Sequence, residues 1–582
     1  MESSLTGRRL VLIVILTLAA APYFMRLGAS SLWDSNEAFY AETPREMIES
    51  GDYLNPSFNY QPRFNKPPLC YWVVVVFYKV FGVSEAVERL AIALAALVMI
   101  ATAYGLGRCA FSVEAGLLAG IGLAAAPRFL MFSRRMMIDV YLAMFMALAL
   151  LLFILSERQP KRRRLYLIAM YAAIGLGVLT KGPVAALLPA FAFLIYLAVY
   201  RRLKQIRDLM LPTGVAIIGL IVLPWYLAVY AQHGWEYIQT FILKDNLSRY
   251  TQQAWGPSRG PLFYIGVIAG DFFPWSLFVV PALWCEARYG LGFTRGSSRK
   301  ESGTPIKEAN NSAFLAATKP PVEPHTALLI IWIVVIVVFF SLSKSKEDLY
   351  ILPIYPAAAA LVGKLLARWL TEKDSSSRYV ALVPAALILG AVLVVVGAGV
   401  LYLFRTGAQA YELSGATAIG SIALTGGLLA SAAAVAKKRL AAVLGPVFAV
   451  IVFNWVFVLW TLPDFERYKP VRALCELISS RPPDALAGYY RLASPSMTFY
   501  LRRPIFEYYS REEIGSAFGS GKDVYCVMTA ADYDSLKPQL GVPTYVLASR
   551  PMFQVKLKGL LDKVELPQVV LISNTDGATI AK

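Results

Sequence analysis

Residues 34–72 read DSNEAFYAETPREMIESGDYLNPSFNYQPRFNKPPLCYW. They follow a first apolar run and gather carboxylates, amides, aromatic rings and one lysine, Lys66, set before Pro67 and Pro68. A stretch this long is no tight connection between membrane spans, and long ordered loops usually carry function. Its surroundings decide the fold. Of 582 residues, 57% are hydrophobic and 16% charged, with a mean hydropathy of +0.55, whereas soluble domains carry about 25% charge. The chain is read as a polytopic α-helical membrane protein.

Outward from that loop, apolar runs of about 20 residues recur, each long enough to cross about 30 Å of hydrocarbon. They are expected near 10–27, 86–106, 113–127, 137–156, 164–180, 183–200, 210–230, 262–284, 326–342, 350–368, 379–404, 414–435 and 440–461, about thirteen spans. Tyr71 to Phe81 is apolar but short, and is expected to lie in the interface. Lys and Arg beside spans mark the cytoplasmic side. Arg8-Arg9, Arg108, the runs 158–164 and 201–207, and Lys437-Lys438-Arg439 then put the N-terminus inside, with the first loop and the C-terminal region outside. Three regions are expected. Residues 1–463 form the membrane domain, with the external loop 28–85; 286–325 form a cytoplasmic linker rich in Ser, Gly, Pro and Lys; 464–582 form an external, periplasmic domain.

The net charge of +18 is accounted for by topology signals, and no basic stripe with interleaved aromatics points to nucleic acid. The five cysteines lack metal-ligand spacing, and two histidines are too few for a zinc cluster. Cys475 and Cys526 share the last domain and either pair or remain separate buried thiols. In that domain apolar runs shorten to strand length at Leu486–Tyr490, Ile505–Tyr509, Val524–Met528, Thr544–Ala548 and Val569–Ser573, with helices over Val471–Ser480 and Arg511–Phe518 between them. The alternation predicts a small α/β domain with a mostly parallel sheet.

Some cations stand where topology signals should not. Lys66, Arg128, Arg134, Arg135, Lys181, Arg249, Lys344 and Lys346 all fall near the outer ends of spans. Snorkelling, or pairing with Asp139, Glu347 or Asp348, would account for any one of them. As a set they suit an anionic, phosphate-bearing ligand. Lys66-Pro67-Pro68 would hold its ammonium at headgroup depth. Asp34 and Glu37, three apart, are compatible with general-base or substrate-binding work. Thr43-Pro44-Arg45-Glu46 predicts a helix start, with Glu46 as a capping-box partner and Gly51 as the stop.

The loop resembles that of the class C membrane glycosyltransferases of family 39, which include protein O-mannosyltransferases and lipid A aminoarabinose transferases. The matching residues are Glu37, Tyr40, Ala41, Glu42, Arg45, Glu46 and Met47, then Gly51-Asp52, then Lys66-Pro67-Pro68-Leu69 with Tyr71-Trp72. Arg134 to Asp139, Leu179 to Pro183, Phe273-Pro274-Trp275 and Ser343 to Pro356 extend the match. Two positions depart from the pattern. The acidic pair reads Asn36-Glu37, with an acid displaced to Asp34, and Asn65 stands before Lys66 where the bacterial transferases often have Glu. Their metal site is therefore not carried over, and no divalent metal is expected.

The resemblance implies a single sugar moved from polyprenyl (undecaprenyl) phosphate to a glycolipid of lipid A type, or to a protein, at the outer face of the inner membrane. Asp34, Glu37 and Lys66 would carry the chemistry, with Lys66 compensating the departing phosphate. Arg134, Asp139, Lys181, Lys344, Lys346, Tyr40, Arg45, Tyr71, Trp72 and Tyr350 would bind the lipid phosphate or the sugar. A flippase of lipid-linked sugars or a membrane assembly protein would share the polytopic pattern. The flippase should also show internal repeats.

Overall fold

The computed structural model describes residues 2–252, 259–290, 323–371, 382–406, 411–553 and 566–576. The expected cytoplasmic linker lies almost wholly outside the described residues. Among the described residues, ten helices are long and apolar enough to cross a membrane, from Thr6–Tyr23 to Arg439–Tyr468. The expected span at 262–284 is broken instead. Its halves, Phe263–Asp271 and Ser276–Glu286, meet at 112°. Two further expected spans are short helices, Val113–Ala125 and Val184–Val199. At 1.5 Å per residue each falls short of about 30 Å. Small residues let these helices approach closely. A Cβ on Gly363 would lie 2.4 Å from the Ala115 carbonyl oxygen, so only glycine fits where Tyr355–Thr371 packs on Val113–Ala125.

The first loop folds as one helix, Asn36–Ser50, then the two-residue strands β1 (Ser57–Phe58) and β2 (Gln61–Pro62), then a second helix, Leu69–Phe81. Gly51 does end the first helix, at φ 72°. The expected start at Thr43 is wrong, because the helix begins at Asn36 and Pro44 lies inside it. Proline there removes one backbone donor, and the Tyr78 hydroxyl donates to the neighbouring Ala41 carbonyl at 3.3 Å. Glu46 is accordingly no capping-box partner. It accepts from the Ser57 hydroxyl at 2.6 Å and from the Tyr60 amide at 3.2 Å, pinning the helix to the hairpin.

The C-terminal sheet has the order β4-β3-β5-β7-β6, from β3 (Leu486–Tyr490), β4 (Phe506–Tyr508), β5 (Val524–Thr529), β6 (Tyr545–Pro551) and β7 (Gln568–Ser573). β3 pairs in parallel with β4 and β5, while β7 runs antiparallel to both β5 and β6. The sheet is thus mixed, with β7 alone reversed. Cys475 and Cys526 are free and buried, each in the apolar cluster on a different side of the sheet.

This domain is bolted to the first loop, so the two lie on the same face of the membrane part. The Asn59 amide both donates to the Ile505 carbonyl (2.9 Å) and accepts from its amide (2.8 Å). The Tyr500 hydroxyl accepts from the Leu32 amide at 2.7 Å.

Candidate active site

A cavity of about 410 Å³ opens where five chain segments converge. Lys66 comes from the turn before Leu69–Phe81, and Asp139 from the first turn of the helix Ile138–Arg158. Lys181 closes the helix Arg163–Lys181, where Gly182 at φ 94° turns the chain toward Pro183. Ser343 and Tyr350 come from the connection between Pro324–Leu342 and Tyr355–Thr371, and Tyr250 from the segment facing them. Leu142, Val184, Leu187, Leu247, Phe339 and Phe340 supply an apolar wall.

The charges are placed where helix dipoles favour them. A carboxylate at a helix N-terminus and an ammonium at a C-terminus are each stabilised by the local backbone dipoles. Asp139 and Lys181 occupy those ends of two helices, and the lysine donates to the aspartate. The Lys181 ammonium also lies 4.6 Å from the centre of the Tyr350 ring, within cation–π range. Lys66 donates to the Asn65 carbonyl at 2.9 Å, which curls its side chain over the turn that the two prolines fix. A cavity of this size suits a small ligand with a few oriented polar contacts. Two cations, one carboxylate, two tyrosines and an apolar wall suit a phosphate ester with a greasy tail.

Of the residues expected from sequence, Lys66, Asp139, Lys181 and Tyr350 meet here. Lys346 sits behind the wall, buried, with its ammonium on the Ser343 carbonyl at 2.5 Å. Lys344 is exposed, and its backbone amide donates to the Tyr250 carbonyl at 3.0 Å. Tyr40 and Tyr71 stack on each other with centroids 5.7 Å apart, and the Trp72 indole donates to the Tyr53 carbonyl at 2.7 Å. Arg45 holds Glu42 through two bonds of 2.7 Å and Glu49 through one of 2.6 Å. These four residues knit the loop together and do not line the cavity.

Asp34, Glu37 and Arg134, also expected from sequence, do not line the cavity. Glu37 is fully buried and paired with Arg89 at 2.8 and 3.0 Å, and it also accepts from the Trp33 amide at 2.7 Å. Arg89 and Trp33 hold Glu37 below the usual carboxylate range although burial opposes ionisation. Asp34 accepts from both the amide and the hydroxyl of Ser496 at 2.7 Å, tying the loop to the C-terminal domain. Arg134 donates to the Pro22 and Arg26 carbonyls, on a different face of the loop.

Tyr250 lines the cavity without having been singled out from sequence, and Ser343 was named only as the start of a matched run. Arg89 was hidden inside a run counted as a span, although a charge in such a run is itself a signal. Among the described residues no three His, Cys, Asp or Glu side chains gather as a metal site would need.

Residues 65–227 match the model of the family described as dolichyl-phosphate-mannose-protein mannosyltransferase. An uncharacterized protein of Aquifex aeolicus is 30% identical over 359 residues, 61% of this chain and 63% of that protein. The undecaprenyl phosphate-alpha-4-amino-4-deoxy-L-arabinose arabinosyl transferase of Pseudomonas paraeruginosa is 28% identical over 61% of this chain and 59% of its own length. The chain thus spans less than two thirds of these relatives. The crystal structure of ArnT from Cupriavidus metallidurans bound to undecaprenyl phosphate superposes with a TM-score of 0.73 at 24% identity, covering 97% of this chain and 98% of that one. Residues 65–227, which carry Lys66, Asp139 and Lys181, resemble the dolichyl-phosphate-mannose-protein mannosyltransferase family, and the chain shares the fold of ArnT.

Proposed function

We propose that the chain is a glycosyltransferase that moves one sugar from a polyprenyl (undecaprenyl) phosphate donor to an acceptor at the outer face of the cytoplasmic membrane. A glycolipid of lipid A type is favoured over protein. The observation that carries this reading is the convergence of Lys66, Lys181, Asp139 and Tyr350 on one apolar-walled cavity. The donor class is supported by the relatives' names, which give undecaprenyl phosphate carrying 4-amino-4-deoxy-L-arabinose as the sugar donor. The positive-inside pattern supports a cytoplasmic N-terminus, with the first loop and the C-terminal domain outside.

In the reaction, an oxygen of the acceptor attacks the anomeric carbon and the bond from that carbon to the phosphate oxygen breaks. The electron pair leaves on the lipid phosphate, with inversion at carbon. The barrier is lowered most by cations aimed at the oxygen that gains charge, in a site shielded from water. Lys66 takes that role. Lys181, held by Asp139 and resting on Tyr350, sets the second positive edge of the site. A phosphate acceptor is already an anion and needs no base, which fits a cavity whose lining carboxylate is engaged by Lys181. Asp34 and Glu37 act by holding the loop that presents Lys66.

The test is to incubate purified protein with labelled undecaprenyl-phosphate sugar and an outer-leaflet glycolipid. Label moving to the glycolipid supports the reading. Lipid crossing vesicles with no label transferred would overturn it in favour of a flippase.

A further inference from the structure

A second cationic place lies apart from the cavity, along the seam between the first span and the helix Glu85–Ala110. Arg26, Arg89, Arg134 and Arg135 converge on a small space of about 20 Å³, with Phe457 and Leu462 at its edge. That is room for one water or one phosphate oxygen. The nearby carboxylates are already engaged. Glu37 binds Arg89, and Asp348 accepts from Arg128 at 2.6 Å. Asp34 holds Ser496, and Glu466 accepts from the Ser31 amide at 2.7 Å and its hydroxyl at 3.0 Å.

Two guanidinium groups are left underused. Arg134 is 6% exposed, its terminal nitrogens meet only the Pro22 and Arg26 carbonyls, and its buried Nε has no partner. Arg135 lies 5.1 Å from the centre of the Trp33 ring and makes no ion pair among the described residues. Burial pushes both below the usual arginine range, Arg134 to about 10 with the Arg89 cation adding to the effect, while Glu37 opposes the shift at Arg135. A buried cation without a carboxylate partner, as Arg134 is among the described residues, is costly, and an incoming anion relieves that cost.

Deeper along the same seam runs an apolar groove of about 450 Å³. It is lined by Leu16, Ala20 and Phe24 of the first span and its end, and by Leu97, Ile100 and Tyr104 of the facing helix. Phe24 is two residues from Arg26, and Leu97 is eight residues beyond Arg89, about 12 Å along a helix. Charge at the loop end and an apolar channel below it match a lipid in shape and polarity.

We propose that this seam binds the phosphate headgroup of a membrane lipid at Arg134 and Arg135, with an acyl chain in the groove, as a site separate from the Lys66 cavity. The inference rests on the seam alone and stands whether or not the chain is a transferase. In detergent, native mass spectrometry would follow the retention of dioleoyl phosphatidic acid across a concentration series. Binding is expected to saturate, to weaken about tenfold or more in Arg135→Gln, and to fall in Leu97→Trp, which fills the groove. Arg135 is half-buried and Leu97 is exposed, so both variants should fold. Equal retention in Arg135→Gln and wild type would overturn the proposal. So would inorganic phosphate competing as well as the lipid, or a loss confined to Lys66→Ala, which would move the binding to the other cavity.

Discussion

Lys181, the last residue of one membrane helix, donates to Asp139 in the first turn of another, and Lys66 lines the same cavity from the loop between the first two spans. The pair fixes the lysine head beside the Tyr350 ring without burying a net charge on the wall. Asp139→Asn should free that head and leave it to swing. Transfer is expected to fall by about tenfold or more, as for loss of a charge-assisted contact, with Asp139→Glu recovering part of it. Initial rates on reconstituted protein check this, and equal rates in wild type and Asp139→Asn would show that the pair is idle.

Glu37 and Arg89 form a buried ion pair. Removing one partner of such a pair typically costs about 3–5 kcal/mol, because the other charge stays buried and uncompensated. Glu37→Gln should therefore lower the thermal midpoint or the yield of folded protein, and Glu37→Gln with Arg89→Met should regain much of it. A single variant as stable as wild type, but inactive, would return Glu37 to the chemistry.

Asp34 holds the C-terminal domain through Ser496 rather than touching the cavity. Asp34→Asn should keep transfer within a few-fold of wild type per folded molecule. The domain should meanwhile become easier to cleave from the membrane part by a protease. Loss of transfer with unchanged proteolysis would contradict this.

Glu46 gives a pH signature. Burial and the neighbouring Glu42 push its carboxyl up to about 7, against 4.5 for the ordinary group. The folded chain then keeps a proton that the unfolded chain has lost. Its stabilising contribution is full below about pH 4.5 and is lost as pH rises through about 7. The thermal midpoint should fall more steeply between pH 5 and 8 in wild type than in Glu46→Gln, whose amide cannot ionise. Parallel profiles would refute the assignment.

The fold was legible because apolar length and flanking charge are local properties. The runs read as spans are helices, and the five short apolar runs are the five strands. Lys66, Asp139, Lys181 and Tyr350 were legible as a set because each stands at the end of a span or beside a fixed turn. Partners were not legible. The contacts from Asp34 to Ser496 and from Glu37 to Arg89 cross 462 and 52 residues, and spacing along a chain carries no record of such pairings. The break between Phe263–Asp271 and Ser276–Glu286 escaped because both halves are apolar. The helix start at Asn36 escaped because Pro44, a good first-turn residue, is held inside a helix by tertiary contacts.

The most direct measurement is undecaprenyl phosphate binding to wild type and to Lys66→Ala, in parallel with sugar transfer. If the cavity grips the donor phosphate, the variant folds and binds the lipid at least about tenfold more weakly. Its transfer then falls about 10²–10³-fold, as for loss of one well-placed donor in a shielded site. Wild-type binding and wild-type transfer in Lys66→Ala would contradict the account.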